Sequence, residues 1–176
     1  MREKMEESRM SQAYDFLAMQ QAQFRHDQRN HSDIICLPKS DRLKHYGLHF
    51  AKYVGRLARG SAEQKSTDQT LVDMTLVCLS AANALHQRIQ DDIERCSQDR
   101  SDQVDPLRSL ADAAGRFADA CEKIDHLEDF LPVARLANID VLSWTVRHAM
   151  ERGIDLNQAI DERRKELVVR QFYIAD

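Results

Sequence analysis

Glycine and proline are scarce, at 5 and 3 of 176 residues. Together they fall well under half of the usual combined share of roughly 12%. Turns draw on glycine for positive φ and on proline for a fixed φ. A sandwich, barrel or hairpin-rich fold needs many turns, so the shortage argues against all three, and against a doubly wound α/β fold. Long apolar runs are also missing. The longest weakly polar stretch, Met74 to Leu85, is broken by Thr75, Ser80 and Asn83 and is too short to span a membrane. No Cys-x-x-Cys pair occurs among the four cysteines, Cys36, Cys78, Cys96 and Cys121. Their wide, irregular spacing suits reduced core thiols. The first ten residues, MREKMEESRM, are too polar for a signal peptide. A cytoplasmic protein without a membrane partner is the expectation. The net charge of −4, from 25 basic and 29 acidic residues, is not the balance of a nucleic-acid binder.

What remains is an all-α chain with one core. Residues 1–38 read as a helical arm, with Met10, Tyr14 and Leu17 at helical spacing. The arm is a candidate contact for a homodimer or another protein partner. Residues 39–176 read as a single domain. Ser40 is the expected N-cap of a helix that stops at Gly60, and Ser66 with Gln69 forms a capping box for a helix ending near Cys96. The polar stretch 97–105 is a linker. Asp105 and Pro106 supply an N-cap and an N1 proline, and Pro132 separates two further helices. Gly153 and Asp155 then stop one helix and cap the last.

Repeat one (39–96) and repeat two (106–176) resemble each other when Asp73 is set on Asp140, which also brings Ala82 onto Ala149 and Leu79 onto Val146. The preceding helices align coarsely as KYVGRL (52–57) on EKIDHL (122–127). The expected architecture is a four-helix core built from two repeated helix pairs, a pseudo-dimer, with an N-terminal arm and a C-terminal helix.

Two carboxylates, Asp73 and Asp140, fall on apolar helix faces, where a charge must be paired or metal-bound. Glu122, Asp125 and Asp129 make an acidic stripe. Lys44, His45, His49, Lys52, Arg56 and Arg59 make a basic one. The basic stripe either pairs with the acids or grips phosphate oxygens. His45 and His49 are spaced i, i+4, which suits a transition metal such as Zn or Fe, with His26, His31 and Asp33 upstream. Tyr46, Tyr53 and Trp144 are core aromatics or stacking partners for a base. Gly47 and Gly55 lie inside the basic helix, where they permit close helix approach or leave room for a ligand.

The segment ANIDVLSWTVRHAMERGIDLNQAIDERRKEL (137–167) resembles the C-terminal half of MazG-like, all-α nucleoside triphosphate pyrophosphohydrolases. The resemblance rests on Asp140, an apolar run, the turn Gly153-Ile154-Asp155-Leu156, and Ala159. LVDMTLVCLSAANAL (71–85) resembles the same helix. Membership implies Mg²⁺ held by acidic pairs at i, i+3 on adjacent helices and a water attacking a nucleotide phosphorus. Carried over, the pairs fall on Glu122 with Asp125 and on Ala137 with Asp140. In repeat one they fall near Lys52 with Gly55 and on Thr70 with Asp73. The implied metal ligands are Asp73, Glu122, Asp125 and Asp140. Glu122, Asp125 and Asp140 are the implied catalytic acids, and His49, Lys52 and Arg56 contact the phosphates. Ala137 and Thr70, standing where acids belong, carry the alternative: a non-catalytic helical regulatory or interaction module.

Overall fold

The computed structural model describes residues 14–95 and 105–170. Among these, eight α-helices occur and no strand. They are α1 (Phe16–Asn30), α2 (Ser32–Ile35), α3 (Lys39–Arg59), α4 (Thr67–Ala84), α5 (Ile89–Arg95), α6 (Pro106–Asp125), α7 (Leu131–Glu151) and α8 (Leu156–Arg170). None is long and apolar enough to cross a membrane. Met10 and Cys96 lie outside the described residues.

Each long helix follows from its apolar spacing. On α3 the buried residues are Leu43, Tyr46, Phe50 and Tyr53, three and four apart, so they form one stripe. On α6 they are Leu110, Ala113, Ala114, Phe117, Ala120 and Cys121. These two stripes meet, with the Phe50 and Phe117 rings edge to face at 4.9 Å. A Cβ at Gly47 would sit 3.6 Å from Phe117, an ordinary contact distance, so this packing does not require the glycine. Helices α4 and α7 are buried nearly all round. Helix α3 packs on α4 and α6, and α7 packs on the same two. Helix α1 lies across α4 and also touches α5 and α8. In its described part the N-terminal segment packs on the body: Tyr14, Phe16 and Met19 belong to the common core.

Most caps form as the residues indicate. Ser66 Oγ accepts from Gln69 N at 3.1 Å. Asp105 Oδ1 accepts from Leu107 N at 2.8 Å, next to Pro106. Asp155 Oδ1 accepts from Asn157 N at 3.0 Å. Gly153 takes φ +69°. Two expectations need correction. Helix α3 starts at Lys39, with extended Pro38 as its cap and no side-chain cap bond from Ser40. The helix expected to run to Cys96 stops at Ala84, where His86 adopts φ +50° and α5 follows after a sharp turn. The turn frees the carbonyls of Leu85 and His86. Arg135 on α7 donates Nη2 to both, at 2.8 and 3.1 Å. A partner fifty residues away thus stabilises a break that the local sequence does not announce.

Helix bounds recur at a fixed spacing. Lys39 and Pro106 open α3 and α6, Ala84 and Glu151 close α4 and α7, and Ile89 and Leu156 open α5 and α8. Each pair is 67 residues apart, as are Asp73 and Asp140. The same spacing joins the turn residues His86 and Gly153, whose following amides, Gln87 N and Ile154 N, donate to Ala82 O and Ala149 O, both at 2.9 Å. In this register Lys52 lies opposite Asp119, not Glu122, which displaces the coarse alignment of the first helices by three residues.

Candidate functional site

The stripe that buries α3 leaves one flank of that helix facing a gap. His45, His49, Lys52 and Arg56 lie on this flank, beside buried Tyr46 and Tyr53. Helix α4 runs antiparallel to α3 and contributes Asp73, Leu76 and Ser80, while α1 adds Gln23 and Asp27. Lys65, from the turn before α4, and Arg163, from α8, close one end. The result is a cleft of about 260 Å³.

The cationic end is organised around Asp73. Arg163 donates Nε to Asp73 Oδ1 at 2.7 Å and Nη2 to Oδ2 at 3.4 Å. Arg56 Nη1 and Lys65 Nζ each stand 3.8 Å from Asp73 Oδ2, within ion-pair range and beyond a hydrogen bond. Arg56 Nη1 is buried and has no hydrogen-bond partner. Lys52 donates Nζ to His49 Nδ1 at 2.9 Å, which places the His49 proton on Nε2, 3.1 Å from His45 Nε2. Burial, then the neighbouring Lys52 charge, lowers the His49 pKa to about 4. Burial and Arg56 lower that of Lys52. Four cationic side chains thus line the cleft, Lys52, Arg56, Lys65 and Arg163, against two carboxylates, Asp73 and Asp27.

The opposite end is less charged. Asp27 accepts from Ser80 Oγ at 2.6 Å and from Gln23 Nε2 at 2.7 Å. Burial pushes its pKa up to about 6, although both hydrogen bonds act the other way. Tyr46 lies beside it, and burial, reinforced by the Asp27 charge, pushes its pKa up to about 12.

The phosphate-contact candidates His49, Lys52 and Arg56 all line this cleft. The implied metal ligands do not come together. Asp73 is held by Arg163. Asp140, 2% exposed, accepts from Arg116 Nη2 at 2.7 Å. Glu122 is exposed, and exposed Asp125 pairs with Lys44 at 2.7 Å. Glu122 lies about 100° round the helix from inward-facing Cys121, and Asp125 is the last residue of α6. Among the described residues no group of three or more His, Cys, Asp or Glu could hold a metal ion. The donor set for Mg²⁺ does not fit. The pair His45 and His49 gains no third ligand by the same finding.

Trp144 is away from the cleft. It donates Nε1–H to Pro106 O at 2.7 Å and stacks on His148 at 3.8 Å. Neither Gly47 nor Gly55 lines the cleft. Asp27, Lys65 and Arg163 had no sequence signal. Each sits in a polar run (RHDQRNHSD, EQKSTD, DERRKE) that reads as a solvated surface.

These shifts set a pH response. His26 and His49 stay neutral in the fold down to about pH 4, whereas unfolded histidines charge near 6.5. Between those values the unfolded state binds more protons, so stability falls as pH falls. Asp27 opposes this, because its folded pKa of about 6 lies above the ordinary 3.8. Two groups outweigh one, and His31 and His45, also lowered by burial, act in the same sense as the pair. The expected result is a Tm that drops from pH 7 to pH 4.5, with a shallower drop in His49→Gln, followed by circular dichroism. A flat or rising Tm refutes the assignment.

No protein-family model, curated protein or solved structure matches the chain.

Proposed function

We propose that the chain is a MazG-like nucleotide-binding protein that takes nucleotide phosphates into the cationic end of the cleft. The observation that carries this reading is Arg56: a guanidinium nitrogen, buried and without a hydrogen-bond acceptor, in a cleft whose cations outnumber its carboxylates. Such a donor costs free energy until an acceptor arrives, and phosphate oxygens are the acceptors that match arginine best. Lys52 and Lys65 supply further charge, and His49 accepts from Lys52 through Nδ1. The apolar side chains of Ile34, Leu76 and Val77 leave room for the organic part of a ligand. Two repeated helix pairs arranged as a pseudo-dimer are part of the proposal, supported by the constant spacing of helix bounds. The proposal is for binding. Hydrolysis through Glu122, Asp125 and Asp140 is not assigned.

The test is calorimetric titration of the full chain with a panel of nucleoside and deoxynucleoside triphosphates, with and without Mg²⁺. Binding is expected in both conditions. Arg56→Ala should weaken it by roughly tenfold or more, the loss of about one charge-assisted hydrogen bond. No binding across the panel overturns the proposal.

A second reading, a helical interaction module, is favoured by one feature. Leu17 and Phe24 are exposed on the outer face of α1 and border a groove with Arg25 and Arg88. A stable protein complex lost in Phe24→Ser and kept in Arg56→Ala would support it.

A further inference from the structure

The cleft has two chemically different ends, and their separation is set by one helix. Asp73 and Ser80 are seven residues apart on α4, two turns, or about 10 Å along the axis. Arg56, Lys65 and Arg163 gather at the Asp73 end. Asp27 is bound to Ser80 at the other. Tyr53 lies at the first end, with the Arg56 guanidinium 5.6 Å from its ring centre, and Tyr46 lines the cleft as well. This span suits an extended nucleoside monophosphate unit, with its phosphate at Arg56 and its base at Asp27.

We propose that Asp27 reads the base of the bound nucleotide and selects a heterocycle presenting two adjacent N–H donors, the guanine edge. The inference rests on the nucleotide reading above. An ionised carboxylate only accepts hydrogen bonds, at about four lone-pair positions. Gln23 Nε2 and Ser80 Oγ each take one, on different oxygens, which holds the carboxylate in place and leaves both oxygens with capacity for a ligand. Guanine offers N1–H beside its exocyclic amine, a two-donor match. Hypoxanthine offers N1–H alone. Adenine and cytosine place their amine beside a ring acceptor, and uracil flanks its single N–H with carbonyls. Each of those presents a lone pair, or nothing, where guanine presents a donor. A site built to accept two donors discriminates strongly against a ligand lacking one.

The experiment is titration of the full chain at neutral pH with GMP, IMP, AMP and UMP. GMP is expected to bind about tenfold or more tightly than the other three. Asp27→Asn should bring the four within about threefold of one another. Equal binding of all four to the unaltered chain overturns the role of Asp27 and leaves the nucleotide reading standing. Binding of none overturns the role of Asp27, and overturns the nucleotide reading too if the triphosphate panel also fails to bind. A preference for GMP that survives intact in Asp27→Asn assigns the reading to another group and overturns the proposal. If Asp27→Asn does not fold, judged by circular dichroism, the four-ligand series on the unaltered chain decides alone.

Discussion

Phe117→Ala lowers the stability of the fold by about 3–5 kcal/mol in urea denaturation. Phe117 is fully buried and holds the edge-to-face contact with Phe50 across the α3–α6 interface. Its removal forfeits the transfer free energy of the ring and leaves a cavity. The surrounding backbone has little scope to collapse into it, because α3 is also packed on α4 and α6 on α7. The aromatic pair adds a further increment beyond area. Leu48, exposed and one residue after Gly47, serves as the control: Leu48→Ala stays within about 0.5 kcal/mol. A loss below about 1 kcal/mol in Phe117→Ala would contradict the packing described.

Arg163→Met costs about 3 kcal/mol, at the low end of what breaking a buried ion pair costs. Both partners are about nine-tenths buried, and Arg163 makes two hydrogen bonds to Asp73. The remaining charges keep the loss at that end of the range, since Arg56 and Lys65 stay within ion-pair range of the carboxylate. The same variant separates two roles for Asp73. As the anchor of a cationic cluster, it requires Arg163 whether or not chelator is present. A metal ligand would lose stability on chelation instead. Urea titrations of both chains with and without EDTA therefore decide it, and a chelator effect equal to the Arg163→Met effect refutes the anchor role.

Helices were legible where the signal is local. The stripes of α3 and α6, the Ser66, Asp105 and Asp155 caps and the Gly153 stop all depend on residues within a few positions of one another. The break after Ala84 was not legible, because Arg135 on another helix satisfies the carbonyls it frees. At the site, one wall could be read and the other could not. His49, Lys52 and Arg56 share a face of a single helix, so periodicity alone groups them. Asp27, Lys65 and Arg163 come from three other segments and meet that face only through tertiary packing. The buried aspartates illustrate a further limit. Apolar surroundings correctly mark Asp73 and Asp140 as needing a partner, yet a metal ion and an arginine look the same from the aspartate's own helix. In both cases the partner is an arginine.

The stack of Trp144 on His148 has a practical consequence. The chain contains a single tryptophan, so its intrinsic fluorescence originates at one place, in α7 against the start of α6. Its emission wavelength reports whether the indole, 9% exposed in the fold, is still enclosed. Because the fluorophore lies outside the cationic cleft, any change on adding a ligand there reports movement passed between helices and not direct contact.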